Sequence, residues 1–174
     1  MSLMKRPAKG QKSLCRRTNL HMKLDKVLAW VDTELSEKRN DTIHDLLAYL
    51  AEQMIEMNKA KNEEIKGFLK WLEREIGIAV EELTNKTAIK EYHSHDFEQI
   101  LEVLKKNKKK LSIDPSDRKK QELIEQGFKK SMSVLGPIKA KVAATDELID
   151  VIVYRLYGLS KEEIGIVKGE ELAI

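Results

Sequence analysis

The chain has 174 residues, of which 35% are charged and only 5% are aromatic, with eight glycines and three prolines. This length allows one compact domain with a sizeable core, and the composition is typical of a helix-rich protein with long solvated faces. The single cysteine, Cys15, excludes an internal disulfide framework and fits a reducing cytoplasm, and no apolar run reaches membrane-spanning length.

Charge is distributed unevenly along a chain whose net charge is only +3. Residues 1–24 contain seven Lys or Arg and no Asp or Glu, and we expect residues 1–22 to be a disordered basic tail. Five of the six residues from Lys105 to Lys110 are lysines. Such local clusters suit an anionic partner such as a phosphate backbone, although a solvated lysine face is the common alternative.

The first half of the chain predicts two helices. Apolar residues at helical spacing mark a first helix of about four turns: Leu24, Val27, Leu28, Val31 and Leu35. After a polar break at 36–40, Asp41 is a suitable N-cap for a long amphipathic helix over about 41–77. Gly67 lies inside this helix, and Gly77 is a natural stop.

The apolar pattern weakens between Ile78 and Ser94, which predicts a linker with at most a minor β element near 86–93. A further helix is expected to open at Ser94 or His95 and to end in the lysine run. Asp114 and Pro115 then give a helix start signal, because the carboxylate can cap the helix and the proline is harmless at its first position.

The last part of the chain predicts a helix that is kinked at Gly136-Pro137, followed by a dense apolar stripe from Thr145 to Leu156. Gly158 ends this stripe. Ser160 and Glu163 then form a capping box at the start of a short final helix.

These elements predict an all-α fold, a multi-helix bundle in one helical domain over 23–174. Within this domain we expect a helical hairpin arm over 23–77, a linker over 78–94 and a C-terminal helical subdomain over 95–174.

The sequence lacks the common catalytic and cofactor motifs. It has no glycine-rich phosphate loop, no glycine-containing turn for S-adenosylmethionine and no Asn-Pro-Pro-aromatic motif for methylating a base amino group. Trp30 and Trp71 fall on apolar helix faces, where core packing is commoner than base stacking. We therefore expect no catalytic residue, no bound metal and no cofactor in this chain.

Two patterns leave a reactive site open as an alternative. The pairs His44-Asp45 and His95-Asp96 are reminiscent of helical metal-dependent phosphohydrolases, but a carboxylate in the first turn of a helix is also favoured by the helix dipole. Arg39 and His44 resemble the arginine and histidine of helical toxin–antitoxin ribonucleases. In that alternative His44 would act on the RNA 2′-hydroxyl and Arg39 would steady phosphate charge.

Three segments resemble the C-terminal region of type IIG restriction–modification enzymes. They are HDLLAYLAEQMIEMN (44–58), FLKWLEREIG (68–77) and IDVIVYRLYGL (149–159) with Glu162, Glu163 and Ile164. LTNKT (83–87) and the lysine run are also similar to that region. In this family one polypeptide joins an adenine-N6 DNA methyltransferase to target recognition and often to a nuclease.

The resemblance implies a non-catalytic accessory domain that packs against a methyltransferase or specificity domain and helps to position double-stranded DNA. None of the family's catalytic motifs maps onto this chain. The residues expected to contact DNA phosphates are Lys105, Lys106, Lys108, Lys109, Lys110, Arg118, Lys119 and Lys120. A homodimerising helical module, built on the long helix and its exposed Leu and Met side chains, is the alternative from a different class.

Overall fold

The computed structural model describes residues 25–169, which form six α-helices joined by short turns. α1 covers 25–36, α2 Asn40–Ile76, α3 Lys86–Lys90, α4 Phe97–Lys106, α5 Arg118–Leu156 and α6 Lys161–Lys168. Single 3₁₀ turns occur at Val80–Glu82, Tyr92–Ser94 and Lys108–Lys110. No strand occurs within 25–169, so the predicted all-α fold is confirmed there. The predicted tail at 1–22 lies outside the described residues.

Two compact units share these helices. Among the described residues, unit 1 comprises 25–52 and 145–169, and unit 2 comprises 53–144. This division differs from the predicted arm, linker and subdomain, because segments far apart in the chain contribute to each core. No helix within 25–169 combines the length and the apolar character that crossing a bilayer requires.

Unit 1 is built on α1, the start of α2 and the end of α5. Its buried core is small and is surrounded by half-buried leucines and valines; the core residues are Leu28, Val31, Ile43 and Ile152. Arg155 of α5 donates to the carbonyl oxygen of Leu28 at 2.8 Å and to the Asp32 carboxylate at 2.9 Å. These bonds fasten the end of α5 to α1. Trp30, which was expected in the core, is 40% exposed, so that prediction is wrong.

Unit 2 has the larger core, and an aromatic cluster lies at its centre. The ring centroid of Phe68 lies 4.1 Å from that of Tyr92 and 6.5 Å from that of Phe128. The buried Tyr92 hydroxyl is 2.6 Å from the Ser131 hydroxyl, and burial raises the pKa of Tyr92 to about 12. Tyr92 is therefore a neutral core residue that joins its 3₁₀ turn to α5.

The segment 78–94 takes part in this core, contrary to the linker predicted from the sequence. It carries four buried apolar side chains: Val80, Leu83, Ile89 and Tyr92. The alternation near 86–93 belongs to α3 and a 3₁₀ turn, and not to a β element.

Several helix ends differ from their predicted positions. α2 begins at Asn40, which puts Asp41 in its first turn. Asp96 caps α4 through a capping box with Gln99. α5 begins at Arg118, three residues after the predicted proline, because Asp117 accepts from the amide of Lys120. The helix also continues through Pro137, although proline cannot donate to the carbonyl four residues before it.

Other helix ends agree with the sequence. The capping box of Ser160 and Glu163 is present at the start of α6. Gly77 adopts a φ of 78°, which favours glycine. Ser112 donates both its amide and its hydroxyl to the carbonyl oxygen of Ile76 at 2.9 Å, so the end of α2 is satisfied beside Gly77.

Two glycines inside the long helices have opposite surroundings. A Cβ at Gly127 of α5 would lie 2.3 Å from the ring of Trp71, so the indole packs directly against the α5 backbone. A Cβ at Gly67 of α2 would meet nothing within 4 Å. Packing therefore requires glycine at 127 but not at 67.

We expect the two alanine substitutions to change stability in opposite directions. Gly127→Ala should destabilise by about 1–3 kcal/mol because the indole has to move. Gly67→Ala should stabilise by about 1 kcal/mol because alanine is the better helix former. Urea unfolding followed by circular dichroism measures both changes. A Gly127→Ala protein as stable as the wild type would contradict the Trp71 packing.

Candidate nucleic-acid interface

Five exposed lysines follow one another where α4 ends. Lys105 and Lys106 lie in the last turn of α4, and Lys108, Lys109 and Lys110 form the next 3₁₀ turn. We call these five residues the lysine cluster. The amphipathic pattern explains their position, because Ile100, Leu101, Val103 and Leu104 bury the opposite face of α4.

Asn107, the one residue of this run that is not a lysine, holds the cluster in place. It is 3% exposed, and its carboxamide oxygen accepts from the Thr84 amide at 2.8 Å. Its carboxamide nitrogen donates to the carbonyl oxygens of Thr84 at 3.0 Å and Val103 at 2.8 Å. The side chain therefore pairs with the backbone of a distant turn, much as one strand pairs with another. Sequence reasoning missed this residue, whose only signal was an asparagine directly after an amphipathic helix.

The five lysines divide into two groups by their contacts. Lys108 pairs with Asp114 at 2.7 Å, and Lys110 donates to the carbonyl oxygen of Glu82 at 2.8 Å. Within residues 25–169, Lys105, Lys106 and Lys109 form no ion pair. Three exposed ammonium groups are thus without an acidic partner among the described residues.

The second group of predicted phosphate contacts lies in the first turn of α5. Arg118 is 91% exposed on its side chain and pairs with Glu122 at 2.8 Å, and Lys119 is also exposed. Lys120 is half-buried. The Lys108–Asp114 ion pair connects the lysine cluster to the loop that leads into α5.

Asp114 lies among these cations and forms an ion pair with Lys108. The Lys108 ammonium, together with the amide of Ser116, holds the pKa of Asp114 below its usual range. Asp114 therefore stays ionised at neutral pH and neutralises Lys108. Lys105, Lys106 and Lys109 have no such ion-pair partner within 25–169.

The arginine of the ribonuclease alternative has a structural role. Arg39 donates through Nε and Nη2 to the two carboxylate oxygens of Glu34, at 2.7 and 2.6 Å, and also pairs with Glu37. Glu34 is buried, and the bonds from Arg39 lower its pKa. His44 is exposed on α2. The guanidinium charge is thus committed to carboxylates at the turn between α1 and α2.

The two His-Asp pairs do not assemble with further ligands. The Asp96 carboxylate accepts from the Gln99 amide at 2.8 Å as a helix cap. Within 25–169 no group of three or more His, Cys, Asp or Glu side chains lies close enough to hold a metal ion. Asp96 thus has the capping role that the helix-dipole interpretation assigns to it.

Replacing Asn107 tests its role in holding the cluster. Asn107→Ala should destabilise the protein by about 1–3 kcal/mol because it leaves buried backbone groups without partners. It should also speed hydrogen exchange at the Thr84 amide, which NMR resolves. Asn62→Ala, at an exposed position of α2, serves as the control and should change neither quantity appreciably. Unchanged exchange at Thr84 in Asn107→Ala would refute the proposed role of the carboxamide.

One family description matches the chain, the domain of unknown function DUF8810, over residues 39–153. No curated protein and no solved structure gives a significant match. The family match includes all of α2, all of the lysine cluster and α5 as far as Val153. Because it covers more than half of the 174 residues, the chain belongs to the DUF8810 family.

Proposed function

We propose that this chain is a non-catalytic helical domain that binds the phosphate backbone of double-stranded DNA through the lysine cluster. One observation carries the proposal: Lys105, Lys106 and Lys109 are exposed and form no ion pair within 25–169. The turn that displays them is anchored by the buried Asn107. Ammonium groups held in this way suit phosphate oxygens.

In the proposed mechanism, the domain holds the DNA in position and does not act on it chemically. Lysine contacts to phosphate fix the register of a protein on DNA but carry no sequence information. Each phosphate neutralised by the cluster releases condensed counterions, so the binding energy depends strongly on salt. The resemblance of 44–58, 68–77 and 149–159 to type IIG enzymes supports an accessory role beside a methyltransferase or specificity domain, which would supply the chemistry.

Salt dependence of DNA binding tests the proposal. The triple variant Lys105→Gln, Lys106→Gln and Lys109→Gln should bind duplex DNA more weakly than the wild type. The slope of log affinity against log salt should become less negative by about 0.9 for each phosphate that the variant no longer neutralises. Fluorescence anisotropy of a labelled duplex measures both quantities over a range of salt concentrations.

A second triple variant provides a control with the same change of net charge. Lys59, Lys66 and Lys70 are exposed on α2 and, within the described chain, form no ion pair. Their replacement by Gln should leave the slope close to that of the wild type. Equal reductions of affinity in the two triple variants would show that only overall charge matters and would defeat the proposal.

Self-association is the second candidate function, and exposed apolar side chains of unit 1 favour it. Tyr157 is 74% exposed, Ile166 61% and Val167 62%, and Tyr49 is exposed as well. Exposed apolar side chains are typical of surfaces that meet a partner where they form a contiguous patch. The partner proposed is a second copy of this chain.

Sedimentation velocity at increasing protein concentration measures self-association directly. The double variant Tyr157→Ser and Ile166→Ser should weaken any dimer at least about tenfold, because it removes apolar area from the contact. Val134→Ser changes a 43% exposed valine of unit 2 and should have no such effect. A wild-type protein that stays monomeric at every concentration would dismiss this candidate.

A further inference from the structure

A cleft opens between α2 and α5 within unit 2, apart from the lysine cluster. Its volume is about 430 Å³, which is in the range of small-molecule sites. Trp71 and Leu123 give it an apolar floor, and Phe68, which is only 5% exposed, also borders it. Such a floor suits a flat ligand, because a rigid ring lying against aromatic side chains buries much area at a small cost in conformational entropy.

Gly67 lines this cleft, and packing within the chain does not explain it. The space over its Cα is open to at least 4 Å, and its φ is not in the positive range, so alanine would fit the backbone. Alanine is also the better helix former. A glycine that the fold does not need leaves room at the cleft for atoms from outside the chain.

Three polar side chains stand around the apolar floor: Glu64, Gln126 and Lys130. Among the residues that the structure describes, their side-chain polar groups make no hydrogen bond or ion pair with one another or with other side chains. They provide a carboxylate acceptor, an amide that both donates and accepts, and a cation. An apolar floor with a few polar groups around it is the usual make-up of a ligand site.

We propose that this cleft binds a purine base with an attached phosphate. The base would lie on Trp71, in the space left by Gly67. The Glu64 carboxylate and the Gln126 amide would meet the donors and acceptors on the edge of the base, and Lys130 would face the phosphate. The base can come from a free nucleotide or from a single strand of nucleic acid, since the chemistry recognised is the same.

Tryptophan fluorescence reports on the cleft directly. The chain has two tryptophans, so Trp30→Phe leaves Trp71 as the only indole. Titrating this full-length variant with AMP or GMP should give saturable quenching, and ribose 5-phosphate should give none. A purine-rich single strand, compared with an abasic strand, tests the second source. Saturation by the single strand alone would assign the base to nucleic acid.

Filling the space over Gly67 tests the location of the site. Gly67→Leu should weaken purine binding at least about tenfold. Gly136→Leu is the matched control, because Gly136 is also inside a helix with open space around its Cβ and does not line the cleft. Glu64→Gln, at the rim, should also lower affinity and does not depend on the fold tolerating a leucine.

Purine binding at the cleft can be tested separately from duplex binding at the lysine cluster. The triple Gln variant at 105, 106 and 109 should bind the purine as the parent does, so the cleft can stand even if duplex binding fails. Absence of quenching by every purine ligand would overturn the proposal. Equal binding of ribose 5-phosphate, or undiminished binding in Gly67→Leu, would overturn it as well.

Discussion

The packing of Phe68 against Tyr92 and Phe128 is the contact on which unit 2 depends. The three rings come from α2, a 3₁₀ turn and α5, so one cluster joins segments far apart in the chain. Aromatic pairs of this kind bury large areas and add about 0.5–1.5 kcal/mol beyond that burial. Tyr92 also fixes the segment 78–94, and Thr84 of that segment pairs with Asn107. The position of the lysine turn therefore follows from the aromatic core.

The five lysines of the cluster differ in the contacts that they make within the chain. Lys108 and Lys110 close contacts with Asp114 and with the Glu82 carbonyl, which tie the turn to neighbouring segments. Lys105, Lys106 and Lys109 add like charges and form no ion pair within 25–169. The repulsion among these three positive charges is modest in water, because water and salt screen it. Nearby phosphate groups would reduce it further.

Periodicity predicted the long helices, because apolar residues at three-and-four spacing lie on one face of an α-helix. It failed over 78–94, where α3 has five residues and the 3₁₀ turns three each, too short to show a period. Pro137, where a kink was predicted, lies inside α5, which continues through it as one element. The roles of Asn107 and Gly127 depend on Thr84 and Trp71, partners that only the fold brings near. The lysines were visible in the sequence, but which of them have acidic partners was not.

The geometry describes a helical domain with an anchored cationic turn. NMR of the full chain, titrated with duplex DNA at low salt, tests DNA binding by this turn most directly. We expect the largest amide shifts on residues 105–110 and on Thr84, with smaller shifts at 118–120. Shifts that are absent, or that concentrate in unit 1, would contradict a DNA-binding role for the lysine cluster.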